Sequence, residues 1–282
     1  MIRLLAIDLD GTLLRSDHTV SPTNRRAVEA AQAAGIEVVI ASARVWHSAR
    51  RVALQYLPPM NYAALHDGQM IVRPGTGDWL HTTTVPAAEV QRIVRRMDDL
   101  AVSIELCRPQ TSPDYDYLVA LDRGPTQAMQ AAWRPPPQPP IHLAPEPTDD
   151  ELADSFSLRV IAHDFETLDQ VEGRLADLTD VVRWYRFTRP DPGFVITQIM
   201  PKHVGKWEGI RWVADQESIP VEQIAVIGDE INDVTALRNA GLGVAVGNAI
   251  PEAHAAADLC LDLTHDQDAV AAAIDHVLHA GS

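Results

Sequence analysis

The chain has 282 residues, of which 46% are hydrophobic, and a formal net charge of −16. That length predicts one large domain or two small ones, each able to bury a core. The acidic charge argues against a nucleic-acid partner, because nucleic-acid phosphates attract basic surfaces.

The apolar segments are too short for a membrane protein. No apolar run approaches the roughly 20 residues that span a bilayer, and the run after Met1 reaches Asp8 too soon for a signal peptide. Two cysteines, Cys107 and Cys260, are too few for a disulfide framework. We therefore expect a cytoplasmic protein without a membrane partner. The sequence carries no signal for the oligomeric state.

The N-terminal part alternates between strand and helix patterns. Residues 2–7 and 36–41 are mainly apolar runs, each with one charged residue, and are typical of buried strands. Between them, Ser21 as N-cap predicts the start of a helix that ends at Gly35, and a second helical stretch covers residues 46–54. This order predicts a parallel sheet with crossover helices.

The middle of the chain, residues 82–196, has a different pattern. It combines an amphipathic helix at 87–100 with short strand-like runs such as 158–162. A proline-rich stretch at 133–140, with prolines concentrated in 135–140, predicts an irregular or extended segment, or less simply a ligand for a proline-binding partner. We interpret this region as a second, α+β domain inserted into the first.

The C-terminal part returns to the alternating pattern. Strands are predicted at 223–227 and 242–246, and helices at 231–239 and 266–279. The two ends of the chain therefore predict one α/β core domain with a doubly wound, Rossmann-like parallel sheet. Its predicted bounds are 1–81 and 197–282, with 82–196 as the inserted α+β cap domain.

Two aspartates, Asp8 and Asp10, follow the first predicted strand. Side chains two residues apart on a strand face the same side, so these carboxylates should repel unless a cation such as Mg²⁺ lies between them. In that arrangement Asp8 would act as nucleophile and Asp10 as general acid and then base. Asp-x-Asp alone is also found in metal-using transferases, and a pair of turn-forming aspartates is a further alternative.

Three more segments contain candidate site residues. Asp229 and Asp233 follow a predicted strand and could complete a magnesium site, although Asp229 could instead be a helix cap. Ser42, with Arg44 two residues later, follows the second strand. Its hydroxyl and amide could bind a phosphoryl oxygen, although a lone serine after a strand is usually a helix cap. The only lysines are Lys202 and Lys206, and an ammonium suits a point contact with phosphate.

These segments resemble, in order, the motifs of the haloacid dehalogenase superfamily in its Cof-type phosphatase branch. The matching residues are Asp8-Leu9-Asp10-Gly11-Thr12, Ser42, Lys206, and Gly228-Asp229 with Asn232-Asp233. The resemblance implies an aspartyl-phosphate mechanism with Mg²⁺ held by Asp8, Asp10 (through its backbone carbonyl), Asp229 and Asp233. It also implies that Lys206, with Asn232 nearby, binds the phosphoryl group, and it favours Lys206 over Lys202.

Three departures from the branch pattern concern substrate fit. The chain has Ala43 in place of the usual glycine, Asp67 before Gly68 in place of asparagine, and Trp207 after Lys206 in place of glycine. We expect a phosphoric monoester hydrolase acting on a small phosphorylated metabolite, with sugar phosphates as the favoured class. The alternatives are a phosphosugar mutase and a non-catalytic phosphate-binding or scaffold protein.

Overall fold

The computed structural model describes residues 1–109, 115–125, 141–187 and 193–279. The proline-rich segment at 133–140 lies outside these residues. The chain divides into two compact units. The first unit is Met1–Thr82 with Val204–Ser282, and the second is Thr83–His203.

The described residues contain fourteen β-strands. In chain order they are β1 (Leu4–Ile7), β2 (Glu37–Ala41), β3 (Ala63–Leu65), β4 (Met70–Arg73), β5 (Asp78–Thr82), β6 (Ser103–Pro109), β7 (Tyr115–Ala120), β8 (Ile141–Ala144), β9 (Ser157–Ala162), β10 (Val182–Phe187), β11 (Val195–Pro201), β12 (Ile224–Gly228), β13 (Leu242–Ala245) and β14 (Leu259–Cys260).

Eight α-helices accompany them in the same residues. They are α1 (Pro22–Ala33), α2 (Trp46–Ala49), α3 (Ala87–Arg96), α4 (Phe165–Leu175), α5 (Lys206–Gln216), α6 (Val234–Asn239), α7 (Pro251–Ala256) and α8 (Ala269–His279). A π-helical turn, Arg50–Leu54, continues α2, and short 3₁₀ turns lie at Ala176–Leu178, Val221–Gln223 and His265–Gln267.

The first unit is built on an eight-stranded sheet with the order β14-β13-β12-β1-β2-β3-β4-β5. Neighbouring strands from β14 to β3 are parallel, and β4 and β5 are added antiparallel. The predicted α/β fold with a doubly wound parallel core is thereby confirmed.

Both faces of this sheet are covered. All four residues of β1 are fully buried, and since successive strand residues point to opposite faces, their burial requires packing on both sides. Apolar residues of α5, α6 and α7 form one core with the sheet, while α1 packs against α8. Each fully buried aliphatic side chain of this kind stabilises the fold by about 1.5–3 kcal/mol.

Local hydrogen bonds determine where two of the helices begin. Ser21 Oγ accepts a hydrogen bond from the Asn24 amide at 2.9 Å, so α1 begins as predicted. The predicted helix at 231–239 instead begins at Val234. The reason is that the Asp233 carboxylate accepts from the backbone amides of Asp229 and Glu230 and holds the preceding residues in a turn.

The second unit contains a six-stranded sheet with the order β10-β11-β9-β6-β7-β8, antiparallel except for the β7–β8 pair. Helices α3 and α4 supply apolar residues to one core with this sheet. The division between the units falls after residue 203 rather than at the predicted 196. The physical reason is that β11 pairs with both β9 and β10 and so belongs to the second sheet.

Among the described residues, no helix is both long and apolar enough to cross a membrane. Cys107 and Cys260 are both free thiols. The cytoplasmic location stays a prediction.

Candidate active site

Charged and polar residues follow three neighbouring strands where each strand ends. Asp8 follows β1, Ser42 follows β2 and Asp229 follows β12. Ile7, the last residue of β1, pairs with Ile227 of β12, so the carboxyl ends of these strands lie at the same level. In open α/β sheets this edge is where ligands bind.

Lys206, the first residue of α5, connects two of the carboxylates. Its Nζ donates to Asp8 Oδ1 and to Asp233 Oδ1, each at 2.7 Å. The three side chains are only 1%, 6% and 2% exposed for Lys206, Asp8 and Asp233. Lys202, the alternative motif lysine, belongs to the second unit and contacts Asp180 Oδ1 at 3.3 Å. Lys206 is therefore the lysine that meets the predicted aspartates.

Asp229 and Asp233 are oriented by separate hydrogen bonds. Asp233 Oδ2 accepts from the backbone amides of Asp229 at 3.2 Å and Glu230 at 3.1 Å. Thr12 Oγ1 donates to Asp229 Oδ1 at 2.7 Å. The Asp229 side chain therefore does not act as the helix cap considered above, since α6 begins only at Val234.

The turn after Asp8 packs directly on Asp229. Gly11 has a φ of +79°, and a Cβ at this position would lie 2.2 Å from Asp229 Oδ2, so only glycine fits. Asn248 Nδ2 donates to the Gly11 carbonyl at 2.8 Å, while its Oδ1 accepts from the His265 amide at 2.9 Å. Asn248 thereby holds the turn in place.

Burial and charge act in opposite directions on the central pair. Burial raises the pKa of Asp8 well above its usual value, and the nearby Lys206 only partly opposes this. Burial by itself would lower the pKa of Lys206. The carboxylates of Asp233, Asp8 and Asp67 outweigh it and hold that pKa above its usual range, so Lys206 is an ammonium.

Three carboxylates fit a hard cation. Asp8, Asp229 and Asp233 each offer an oxygen, and these oxygens lie within 4.8 Å of one another. Burial raises the pKa of Asp229 to about 6, against the hydrogen bond from Thr12. Once ionised, the three carboxylates exceed the single Lys206 ammonium by two negative charges. An oxygen-ligated divalent ion such as Mg²⁺ balances that excess, so Asp8, Asp229 and Asp233 are suited to hold one.

The carboxylate of Asp10 lies outside this group, contrary to the predicted common face with Asp8. β1 ends at Ile7, so the strand alternation no longer applies, and residues 9–13 form a turn in which the Leu13 amide reaches back to the Asp8 carbonyl at 3.3 Å. The Asp10 side chain is half exposed and forms a two-pronged ion pair with Arg44, in which both N···O distances are 2.6 Å. Only its backbone carbonyl remains a candidate metal ligand.

Of the two Ser42 groups predicted to bind phosphate, the hydroxyl is available and the backbone amide is not. Its amide donates to the Ala64 carbonyl at 2.9 Å and is not available to a ligand. Its Oγ accepts from the Arg44 amide at 3.1 Å, which leaves the hydroxyl proton free to be donated. Arg44 also donates to Ser48 Oγ at 2.8 Å, so the guanidinium is oriented on both sides.

Asn232 contacts a residue that we did not predict as part of the site. Its Nδ2 donates to Asp67 Oδ1 at 2.9 Å. Its Oδ1 is buried without a hydrogen-bond partner among the described residues. The Asp67 amide in turn donates to the Ser42 carbonyl at 3.1 Å. Asp67 therefore joins two of the candidate phosphate-binding residues.

The sequence reasoning missed the parts played by Thr12, Asp67 and Asn248. Thr12 and Asp67 lie in segments that we singled out, whereas Asn248 does not. The partner of each is far away in sequence: 217 residues for Thr12, 165 for Asp67 and 237 for Asn248. The Asp-Gly pair at 67–68, one residue after an apolar run, was the one local signal for a special turn.

Comparison with known proteins agrees with this geometry. A family model described as haloacid dehalogenase-like hydrolase matches residues 5–274. The chain belongs to this family. It is 27% identical to the phosphatase YwpJ of Bacillus subtilis, with 98% of this chain and 100% of that protein covered. The predicted superfamily is thus confirmed, and with it the prediction of an enzyme.

Solved structures show the same fold. BT1666 of Bacteroides thetaiotaomicron, from a study of phosphatases in this superfamily, matches with a TM-score of 0.77 and 24% identity, covering 98% of this chain and 95% of that chain. The subclass IIB sugar phosphatase BT4131 matches with a TM-score of 0.70 and 20% identity, with 98% of both chains covered.

Proposed function

We propose that this protein is a magnesium-dependent phosphatase that hydrolyses phosphate monoesters with Asp8 as the nucleophile. The buried contact of Lys206 with Asp8 and Asp233 carries this proposal. Lys206 holds one oxygen of Asp8 and leaves the other for attack. The ammonium also has a third N–H, which suits a phosphoryl oxygen.

Each residue then has a defined task in two balanced steps. Asp8 Oδ2 attacks phosphorus, an aspartyl phosphate forms, and the ester oxygen leaves with a proton from Asp10. Asp10, now a carboxylate, takes a proton from a water molecule whose oxygen attacks the same phosphorus. Inorganic phosphate is released and Asp8 is regenerated. When bound, Mg²⁺ would supply charge neutralisation between nucleophile and phosphoryl group.

Asp10 must leave Arg44 to act as an acid. Its half-exposed side chain permits rotation, and the ion pair with Arg44 is then a resting arrangement. Arg44 would be released at the same time and could bind the phosphoryl group, as Ser42 could through its hydroxyl proton.

The substrate class that we propose is small phosphorylated metabolites, in particular sugar phosphates. The sugar phosphatase BT4131, which shares the fold over nearly the whole chain, supports this class. We further propose that the inserted second unit serves as the substrate-selecting cap.

Asp8→Asn tests the mechanism, with p-nitrophenyl phosphate and a panel of sugar phosphates as probes. The asparagine keeps an oxygen that can accept from Lys206 but is no nucleophile, so turnover should fall by at least about 1,000-fold. Asp275→Asn, at a side chain that is 76% exposed, is the matched control and should keep full activity.

Magnesium-dependent turnover that is retained in Asp8→Asn would contradict the mechanism. Counting released phosphate against isomerised sugar phosphate separates a hydrolase from a mutase. Wild-type protein that binds phosphate but hydrolyses nothing on the panel would indicate a non-catalytic phosphate-binding protein.

A further inference from the structure

The turn between β3 and β4 has an unusual backbone. His66, Asp67 and Gly68 have φ values of +54°, +55° and +81° in succession, a region that residues other than glycine rarely adopt. A Cβ on Gly68 would lie 2.1 Å from the Gly205 carbonyl oxygen. The turn therefore packs tightly against the start of α5, which begins with Lys206.

This turn brings Asp67 into contact with the candidate phosphate-binding residues. Asp67 is 7% exposed, and its carboxylate accepts a hydrogen bond from the side-chain amide of Asn232. Its backbone amide donates to the Ser42 carbonyl. Its negative charge is also one of those that hold the pKa of Lys206 above the usual range. The carboxylate thus competes for groups that would otherwise face a phosphoryl oxygen.

We propose that Asp67 weakens the binding of the phosphate product and so promotes its release. The inference rests on the proposed phosphatase function and deepens it. A dianionic phosphate held by Lys206 and Asn232 is repelled by a buried carboxylate close to both. Asp67 also holds one of the two Asn232 side-chain amide protons and leaves only the other for a phosphoryl oxygen. Asp67 therefore acts on the phosphate in two ways, by its charge and through the Asn232 amide that it holds.

Two neutral variants test this inference. Asp67→Asn removes the charge, keeps an oxygen that can accept from Asn232, and suits a positive φ. Asp67→Gly removes both the charge and the acceptor without backbone strain. If either variant fails to fold, the other still answers the question. Asp275→Asn is the control for a change in overall net charge at an exposed position.

The measurements are product inhibition by inorganic phosphate, with p-nitrophenyl phosphate as substrate, and direct calorimetric titration of the magnesium-loaded protein with inorganic phosphate. We expect both neutral variants to bind phosphate about 3- to 10-fold more tightly than wild type, because one repelling charge is removed. The control should bind phosphate as wild type does.

The sign of the change separates this inference from a purely structural role for Asp67. Loss of a structural support would loosen phosphate binding, whereas loss of a repelling charge tightens it. Unchanged or weaker phosphate binding in folded variants, with wild type active, overturns the inference and leaves the proposed function standing. A wild type that neither hydrolyses p-nitrophenyl phosphate nor binds phosphate would overturn both.

Discussion

In the first unit the ammonium of Lys206 and the carboxylates that it contacts are almost fully buried, with side-chain exposures of 1% to 6%. Among the described residues of the second unit, ion pairs at the surface are common. Arg95 and Asp149, for example, are each 63% exposed. Burying charges is costly unless they are paired. The cost is therefore concentrated at one edge of the first sheet.

One pair in the second unit departs from this contrast. Arg159 contacts Glu105 at 2.8 Å, and the Glu105 side chain is completely buried. Arg159 also donates to Gln198 Oε1 at 3.2 Å. In this pair a guanidinium contacts a buried carboxylate, whereas the first unit places three carboxylates around one ammonium. The difference teaches that an excess of buried carboxylates over cationic side chains, rather than burial by itself, indicates a place for a cation and an anionic substrate.

The variant Lys206→Met should have the largest effect on stability. It removes the single ammonium of the site and leaves the Asp8 and Asp233 carboxylates buried without it, so the metal-free protein should lose about 3–5 kcal/mol of unfolding free energy. Urea unfolding in the presence of EDTA measures this. Lys202→Met is the matched control, because Lys202 is 35% exposed and contacts an almost fully exposed Asp180. Equal stabilities of the two variants would contradict the assignment of Lys206 as a buried partner.

Magnesium should stabilise the protein in a pH-dependent way. The pKa of Asp229 is raised to about 6 in the folded protein. Proton binding to Asp229 therefore stabilises the metal-free fold fully below the unfolded pKa of about 3.8, and this stabilisation is lost as the pH rises through 6. Magnesium requires the ionised carboxylate, so its apparent affinity should fall about 10-fold between pH 7.5 and pH 5.

Thermal unfolding with and without MgCl₂ at the two pH values tests this pH dependence. The magnesium-induced rise in Tm should be clearly larger at pH 7.5. In Asp229→Asn the rise should be small at both pH values, because one of the three carboxylate ligands is lost. The same Tm rise at both pH values in wild type would contradict a magnesium site that includes Asp229.

The alternation of strands and helices was predictable because buried parallel strands are mainly apolar runs, as in β1 and, after Glu37, in β2. The positions of Asp8 and Asp229 were predictable for the same reason, since strand ends meet at one edge of the sheet. Lys206, the first residue of α5, was singled out instead by the scarcity of lysine and by the family resemblance. The direction of the Asp10 side chain was not, because it depends on β1 ending at Ile7.

Contacts between distant segments could not be predicted from local sequence patterns either. The bond from Asn232 to Asp67 depends on a turn with three positive φ values, and only the Asp-Gly pair hinted at it. The unit boundary was misplaced because β11 looks, in sequence, like the start of the returning core. Its pairing with β9 and β10 is what assigns it to the second sheet.

The smallest effect that we predict concerns the surface pair Arg95–Asp149, and it sharpens the comparison with Lys206. A double-mutant cycle with Arg95→Gln and Asp149→Asn should give a coupling free energy of about 0–1 kcal/mol, because solvent screens both groups and ordering the long side chain opposes the attraction. The coupling should shrink further in 1 M NaCl, where the Debye length is about 3 Å. Urea unfolding of the four proteins at both salt concentrations measures it. A coupling as large as the destabilisation by Lys206→Met, and insensitive to salt, would show that exposure does not separate the two classes of charge in this protein.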